Sequence, residues 1–308
     1  MSPAPSSSRA QTGMALITAI LIAALVASLA FALSARERLW LTLINNRNDL
    51  VATQSFTLSA IDLARLTLRD DMRNNQVDHI MEPWTIPVPP INVEEGKVAG
   101  RLIELQGRFN LYNLYRNGQV SQSALLSLQR LLSTRNLPTD WAEKMARAMM
   151  TQATLWQQSQ AKNPQSRKTT SRMQLVTNLS ELADLSGIDR EKLLELEPLI
   201  TILPGESAIN VNFASPEVLM AVTQGLSLKD AENIVNRRAS SYFKSVQEFI
   251  SIIPTGARTS VNPTNYTVQS QYFFSESEAW YGRAHLRIKA LLFRQSGAIP
   301  EIIWVRRD

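Results

Sequence analysis

The chain contains no cysteine. Disulfides, thiol nucleophiles and thiolate metal sites are therefore excluded. Histidine is nearly absent too: only His79 and His285 occur, far apart in sequence, too little for an imidazole metal site or a His-driven triad. No proline stands between Met14 and Pro83, so nothing in that span forces a helix to break. No Asp or Glu occurs from 144 to 180, where six Lys or Arg are found. There is no phosphate-loop motif, no G-x-S-x-G and no cluster of metal ligands. The adjacent acids Asp70-Asp71 and Glu94-Glu95 read as solvated surface, and catalysis is not expected. The net charge of +5 is spread along the chain rather than gathered in blocks, so charge gives no reason to infer nucleic acid.

What is present begins with length and apolar content. The 308 residues are 44% hydrophobic, enough for an anchor plus one large domain or two or three small ones. The stretch QTGMALITAILIAALVASLAFALSARERLW holds an uncharged run from Met14 to Ala35. At 1.5 Å per residue it spans roughly 33 Å, against ~30 Å of hydrocarbon in a bilayer. A secretory h-region is about 7–15 residues, but Ala30-Phe31-Ala32 has the small-x-small form of a signal-peptidase site, which would start the mature chain at Leu33. Arg9 precedes the run, and Arg36, Arg38 and Arg47 follow it among Glu37 and Asp49, so charge leaves orientation open.

Helical spacing continues past Ala35 through Leu39, Leu43, Leu50, Ile61, Leu68 and Met72. One helix from Met14 to about Asn74 would be ~90 Å long, its first half in lipid or against other subunits, its second half packed on a globular domain. The alternative is a membrane helix, a break and a separate amphipathic helix. Residues 82–96 hold four prolines and read as a linker or irregular crossing. Residues 97–106 read as a strand. Helices are expected at 121–134 and 140–156, followed by a polar, basic, exposed loop at 157–172. Asn178, Asp189, Ser215 with Pro216, Ser227 and Ser245 are N-cap signals for five further short helices. The end alternates about a turn at Gln295–Ala298 and reads as a hairpin over 280–307. The strand and hairpin would form one sheet, with everything between them a helical insertion: an α+β protein.

A polar leader, Gly13 and then a continuous apolar helix resemble the N-terminus of type IV pilins and pseudopilins. In that group a prepilin peptidase cuts after the glycine and N-methylates the next residue, here Met14. The glutamate usual at the fifth mature position is replaced by Thr18, whose hydroxyl can bond the helix carbonyl four residues back. Three further stretches carry a more specific resemblance: GRFNLYNL at 107–114, INVNFASPEVL at 209–219, and AENIVNRRASSYFKSVQEF at 231–249. They resemble the large minor pseudopilin of type II secretion, general secretion pathway protein K, with Tyr112 where that family has Asn and Phe213 where it has Thr. That family also typically lacks the glutamate.

The resemblance implies a leader at 1–13, a membrane part at 14–35 and a continuing periplasmic helix at 36–81. It implies a pilin-like α+β domain from 82–112 and 262–308, meaning a long N-terminal helix on a small antiparallel sheet. A large all-α domain at 113–261 would be inserted in it, with a helix-hairpin-helix-like part near 205–253. The function implied is that of a minor pseudopilin at the tip of the pseudopilus, initiating or capping assembly. The partners implied are the I-, J- and H-type minor pseudopilins, the major pseudopilin, the prepilin peptidase and the inner membrane, with no nucleic acid and no cofactor. Characterised family members bind calcium through an acidic stretch; the acid-free 144–180 leaves that property uncarried. Glu276 and Glu278 remain as scattered oxygen ligands. The asparagines of GRFNLYNL and INVNF are expected to hold turns and helix starts. The alternative is a membrane-anchored DNA-binding protein, because 209–249 also resembles helix-hairpin-helix modules. Their glycine-rich hairpin corresponds here to Thr223-Gln224-Gly225-Leu226-Ser227, with a single glycine.

Overall fold

The computed structural model describes residues 9–93, 95–116, 118–162, 176 and 178–307, with side-chain positions for these except 9–13 and 153–162. Helix α1 runs unbroken from Arg9 to Asn74, roughly 100 Å at 1.5 Å per residue. The end near Asn74 read from the apolar spacing is met and no break intervenes, but the helix does not continue to 81 as the resemblance implied: residues 75–82 are turns and irregular chain. From Met14 to Asn48 every residue is exposed. Beyond that, Thr53, Thr57, Ile61 and Leu68 fall on one buried stripe, the three-and-four spacing that turns one helix face inward. Thr53 and Thr57 return their hydroxyls to the carbonyls of Asp49 and Thr53 at 2.6 and 3.1 Å, so burying them leaves no donor unpaired.

That stripe lies on a sheet of five antiparallel strands. They are β1 (Val88–Val93), β2 (Gly96–Glu104), β9 (Tyr272–Tyr281), β10 (Ala284–Phe293) and β11 (Glu301–Arg307), in the order β1-β2-β9-β10-β11. Two sequence expectations need correction here. Residues 82–96 are not only a linker: Val88–Val93 pairs with β2, its register shifting between Val88 and Ile91, across the prolines. Proline gives no ladder donor and is confined to edges and bulges, and β1 is an edge strand. The C-terminal hairpin also begins eight residues earlier than read, at Tyr272. Its Ser275, Glu276, Ser277 and Glu278 look like a loop in sequence. Yet the two serines are buried under α1, where a larger side chain would hold the helix off.

One face of the sheet packs Phe273, Ile288, Ala290 and Leu292 against Ile61, Leu68 and Trp84. The other face buries Tyr272 and Leu291 with Leu105 and Leu203 beneath the inserted unit. The turn between β9 and β10 abuts α1 at Asp49, which accepts from the Arg283 amide at 3.1 Å. Gly282 there has φ +53°, and a Cβ would sit 2.4 Å from the Asp49 carboxylate; only glycine meets both demands.

Between β2 and β9 lies the inserted unit. Its helices are α2 (Gln122–Thr134), α3 (Trp141–Lys162), α4 (Leu179–Ser186), α5 (Arg190–Leu194), α6 (Pro216–Val222), α7 (Leu228–Ser240), α8 (Val246–Ile252) and α9 (Thr255–Arg258). Asn178, Asp189, Ser215, Ser227 and Ser245 each cap a helix through the side-chain oxygen, as expected. Helix α3 does not stop at 156: the glutamine- and alanine-rich sequence carries it to Lys162, two residues short of Pro164. Of the loop read at 157–172, residues 163–172 lie outside the described residues.

The unit is not purely helical. It includes three small two-stranded pairings: β3 (Phe109–Asn110) with β6 (Ile200–Thr201), β4 (Tyr115–Arg116) with β5 (Gln119–Val120), and β7 (Ile209–Asn210) with β8 (Tyr266–Thr267). One continuous core holds Leu128, Leu131, Leu132, Met145, Leu182, Leu219 and Phe249. Phe109, Leu111, Tyr112 and Tyr266 belong to it too, although the sequence reading assigned them to the sheet-bearing part.

Candidate assembly surface and domain junction

At the membrane end, Thr18 donates to the carbonyls of Met14 and Ala15 at 3.0 and 2.9 Å. The hydroxyl is consumed by its own helix, and no carboxylate stands at this depth. Met14–Ala35 is part of a helix long and apolar enough to cross a membrane. Large apolar side chains stay bare well past it: Leu39, Trp40, Leu43, Ile44, Leu50 and Val51 are all exposed. A helix apolar around so much of its circumference is stable in lipid or among other helices, not alone in water.

At the far end, asparagines staple the neck of the inserted unit. Asn110 accepts from the amides of Tyr112 and Leu203, both at 3.1 Å, and donates to Gly205 O at 2.8 Å and Ser207 Oγ at 3.0 Å. Asn113 bonds both backbone groups of Ser207 at 2.9 and 3.0 Å. Asn212 does the same to Phe243, both at 2.9 Å. Asn210 donates to Ser270 Oγ at 2.7 Å. Local turn-holding was the sequence expectation; all four also reach across 31 to 97 residues. Gly107 opens the first motif because Phe213 and Ala214 of the second pack against it, within 2.7–3.0 Å of where a Cβ would stand. Both departures from the family pattern pack a ring against a core. Tyr112 enters the helical core, and Phe213 stacks on Trp84 with centroids 5.7 Å apart.

Beside the neck is a buried carboxylate network that the sequence did not announce. Arg294, 1% exposed, donates to Asp71 at 2.9 Å, to both oxygens of Asp78, and to Ser270 O at 2.7 Å. Glu82 accepts from the His79 amide at 3.0 Å, Trp84 Nε1 at 2.9 Å and Asn75 Nδ2 at 2.9 Å. Glu104 accepts from Ser270 Oγ and from the amides of Gln106 and Gly107 at 2.5, 2.6 and 2.7 Å. Burial raises Asp71 to about 7, reinforced by the charges of Glu82 and Asp78 and opposed by Arg294. Burial likewise raises Glu104 to about 7 against its three hydrogen bonds, and raises Glu82. His79, lowered by burial, stacks on Tyr242 of the inserted unit at 3.7 Å. Arg238, lowered to about 10 by burial, donates to Val211 O at 2.6 Å. Asp71 is thus not the solvated acid its neighbour Asp70 is.

Among the described residues, one group of three carboxylates is close enough to share a cation: Asp71, Asp78 and Glu82. The Arg294 guanidinium already binds two of them, and Glu82 is engaged by amide and indole donors, so the set does not fit calcium, which takes 6–8 oxygens. Glu276 pairs with Arg101 and Lys289, and Glu278 with His285 and Arg287. The helix-hairpin-helix alternative is not supported. Leu226 of its hairpin is buried with its amide donating back to Thr223 O at 3.1 Å, and Thr223 is bonded to the Tyr266 hydroxyl at 2.7 Å, so these groups are engaged within the unit rather than offered to a phosphate.

The family described as type II secretion system (T2SS), protein K matches residues 107–205 and again 209–269, together more than half of the chain. Type II secretion system protein K of Pseudomonas aeruginosa is 29% identical over 94% of this chain and 91% of its own. That of Klebsiella pneumoniae is 25% identical over 92% and 93%. The fold matches a chain of the GspK-GspI-GspJ complex from the enterotoxigenic Escherichia coli type 2 secretion system, with TM-score 0.67 and 18% identity, covering 86% of this chain and 99% of that one. A long helix on a small antiparallel sheet with a large helical insertion defines a pseudopilin. The chain belongs to the type II secretion system protein K family, the minor pseudopilins with this insertion.

Proposed function

We propose that this chain stands at the tip of the pseudopilus, where it initiates or caps assembly for protein export across the outer membrane. The observation that carries this reading is where the inserted unit attaches. The β9–β10 turn meets α1 at Asp49, nearer the membrane, whereas the neck at Glu104, Ser270 and Arg294 meets α1 at Asp71, its far end. The bulky unit therefore sits at the end of the rod away from the bilayer, where a further copy stacked above would collide with it. The unit is taken as 105–271, from the cores its residues join, rather than 113–261.

Gly13 and Met14 are the expected cleavage and N-methylation positions, and Thr18 removes the carboxylate with which other pseudopilins pair to a neighbour's terminal amine. The helix anchors the chain once in the inner membrane, with the C-terminal domain in the periplasm. By analogy with the complex named above, I- and J-type minor pseudopilins are its partners, with the H-type and major pseudopilins below. The role is architectural rather than catalytic. The test is the N-terminal residue of protein purified from its own membranes, found by mass spectrometry. N-methylated Met14 is expected. A start at Leu33 would make the chain a cleaved export product and end the tip reading; an intact Met1 would leave a plain anchor.

A further inference from the structure

Residues 75–85 leave the end of α1 and cross toward β1, touching the rod, the sheet and the inserted unit on the way. His79 stacks on Tyr242 with centroids 3.7 Å apart, and Trp84 stacks on Phe213 at 5.7 Å; Tyr242 and Phe213 both belong to the inserted unit. Trp84 also meets Phe273 of β9 edge-on at 5.4 Å. The Asp78 amide donates to Val268 O at 2.8 Å, and the Asp78 carboxylate accepts from the Ser270 amide at 2.5 Å. Glu82 ties the segment together: the His79 amide and the Trp84 indole both donate to its Oε2, and Asn75 donates to its Oε1. What Glu82 meets on α1 is another acid. Asp71, Asp78 and Glu82 offer oxygens within 4.8 Å of one another, and the Asp71 and Glu82 side chains are hydrogen-bonded to each other. Two ionised carboxylates are acceptors only, so that bond needs a proton on one of them. Glu82 already takes three N–H donors, which places the proton on Asp71.

We propose that 75–85 is a proton-held strap: it fixes the inserted unit on the rod while Asp71 donates to Glu82, and it lets go when that proton passes to water. With the proton gone, two anions face each other, and the cation in contact with Asp71, Arg294, is already shared with Asp78. Like charges this close disfavour each other. Glu82 is the partner that can move, because Asp71 is held in α1. Its withdrawal takes away the acceptor that positions both rings, His79 and Trp84. The inserted unit then rests on its neck and on Leu203 against the sheet. Within the strap, Asp78 adds charge of the same sign, and His79, lowered by burial, is neutral where Asp71 ionises. From the end of β2, Glu104 faces Asp78, and Arg108 and Arg238 of the inserted unit act on Glu104. Asp71 gives up its proton at about pH 7, so the strap is closed at pH 6 and open at pH 8. The device needs neither a membrane nor a partner subunit, and its failure would leave the tip reading untouched.

Asp71→Asn is the direct test, because the amide keeps a donor for Glu82 and an acceptor for Arg294 and has no proton to lose. Hydrogen exchange of the full-length chain in detergent is followed at pH 6 and pH 8, with labelling times scaled for the intrinsic change in rate. Amides of 77–85 are expected to exchange severalfold faster at pH 8 and those of β10 equally at both, while Asp71→Asn keeps the strap slow at both. Spin labels at Arg147→Cys on α3 and Arg287→Cys on β10, both exposed positions in a chain with no other cysteine, read the inserted unit itself. Their distance distribution is expected to be narrow at pH 6 and broad at pH 8. Equal exchange of the strap at both pH values overturns the proposal. So does loosening that spreads to β10, a pH response that survives Asp71→Asn, or a distance distribution of one width. Should Asp71→Asn fail to fold, Tyr242→Ala reads the same strap from the other side. It removes the ring that His79 stacks on, so 77–85 should exchange fast at pH 6 as well; a strap still slow there overturns the clasp.

Discussion

The two halves of α1 share one backbone and live by different rules. From Met14 to Val51 the helix is apolar on most sides and touches almost nothing; its stability there comes from whatever solvent or neighbour surrounds it. From Ala52 to Asn74 it carries one buried stripe and a charged remainder, and its stability comes from the sheet. Arg65 adds a clamp by donating to Pro300 O at 2.7 Å. Helix propensity alone does not separate the halves. What separates them is the partner each was shaped for, so a substitution of the same kind should do opposite things in each.

The largest effect should come from Arg294→Met, which strips the counter-charge from Asp71 and Asp78 at the end of the packed half. Removing one partner of a buried ion pair costs about 3–5 kcal/mol, read as a drop in the urea midpoint of the full chain in detergent. An unchanged midpoint would mean that the acids are already neutral and the guanidinium is idle. Leu68→Ala comes next, at about 2–4 kcal/mol for a side chain lost from a packed core. Leu43→Ala, the matching change in the bare half, should move the same midpoint by less than about 0.5 kcal/mol while weakening co-purification with partner pseudopilins. If Leu43→Ala proved as destabilising as Leu68→Ala, the division of the helix would be wrong.

The pH dependence sharpens the packed half further. Asp71 and Glu104 titrate near 7 in the folded chain, and Glu82 is also raised. The native state therefore holds more protons than the unfolded one between the ordinary carboxylate range and about pH 7. Stability is greatest at the acid side of that window, falls as pH rises through it, and levels off above. His79, lowered by burial, opposes this trend within the window as a single group, and Glu276 and Glu278, lowered by their cationic neighbours, oppose it only at lower pH. Denaturation midpoints at pH 5 and pH 8 test this; a higher midpoint at pH 8 would refute it, and Asp71→Asn should flatten the slope. Another small effect belongs to the exposed Arg190–Asp184 pair: Arg190→Ala should cost under about 1 kcal/mol.

Much of this was legible in sequence, and the misses share a cause. Apolar periodicity located α1 to its last residue, and side-chain oxygens before apolar runs located five helix starts, because caps and periods are local signals. The prolines of β1 and the serines of β9 misled because their meaning depends on position in the sheet: a free edge tolerates one, a helix overhead requires the other. The Arg294 network escaped for the same reason. Asp71, Asp78, Glu104 and Arg294 span more than 220 residues of sequence, and nothing near any of them reveals the others. The asparagines were read as structural, but their reach was not, since a hydrogen bond to a distant loop leaves no local pattern.

The amide of Leu105, just past the end of β2, bonds the carbonyl of Tyr272, where β9 begins, at 3.2 Å. The chain therefore leaves the sheet and returns to it at neighbouring points. Seen from the five strands, the whole helical unit is a graft at a single site. A lineage could acquire it, enlarge it or lose it without disturbing one strand pairing below. The pilin rod and the head it carries are in that sense separately heritable.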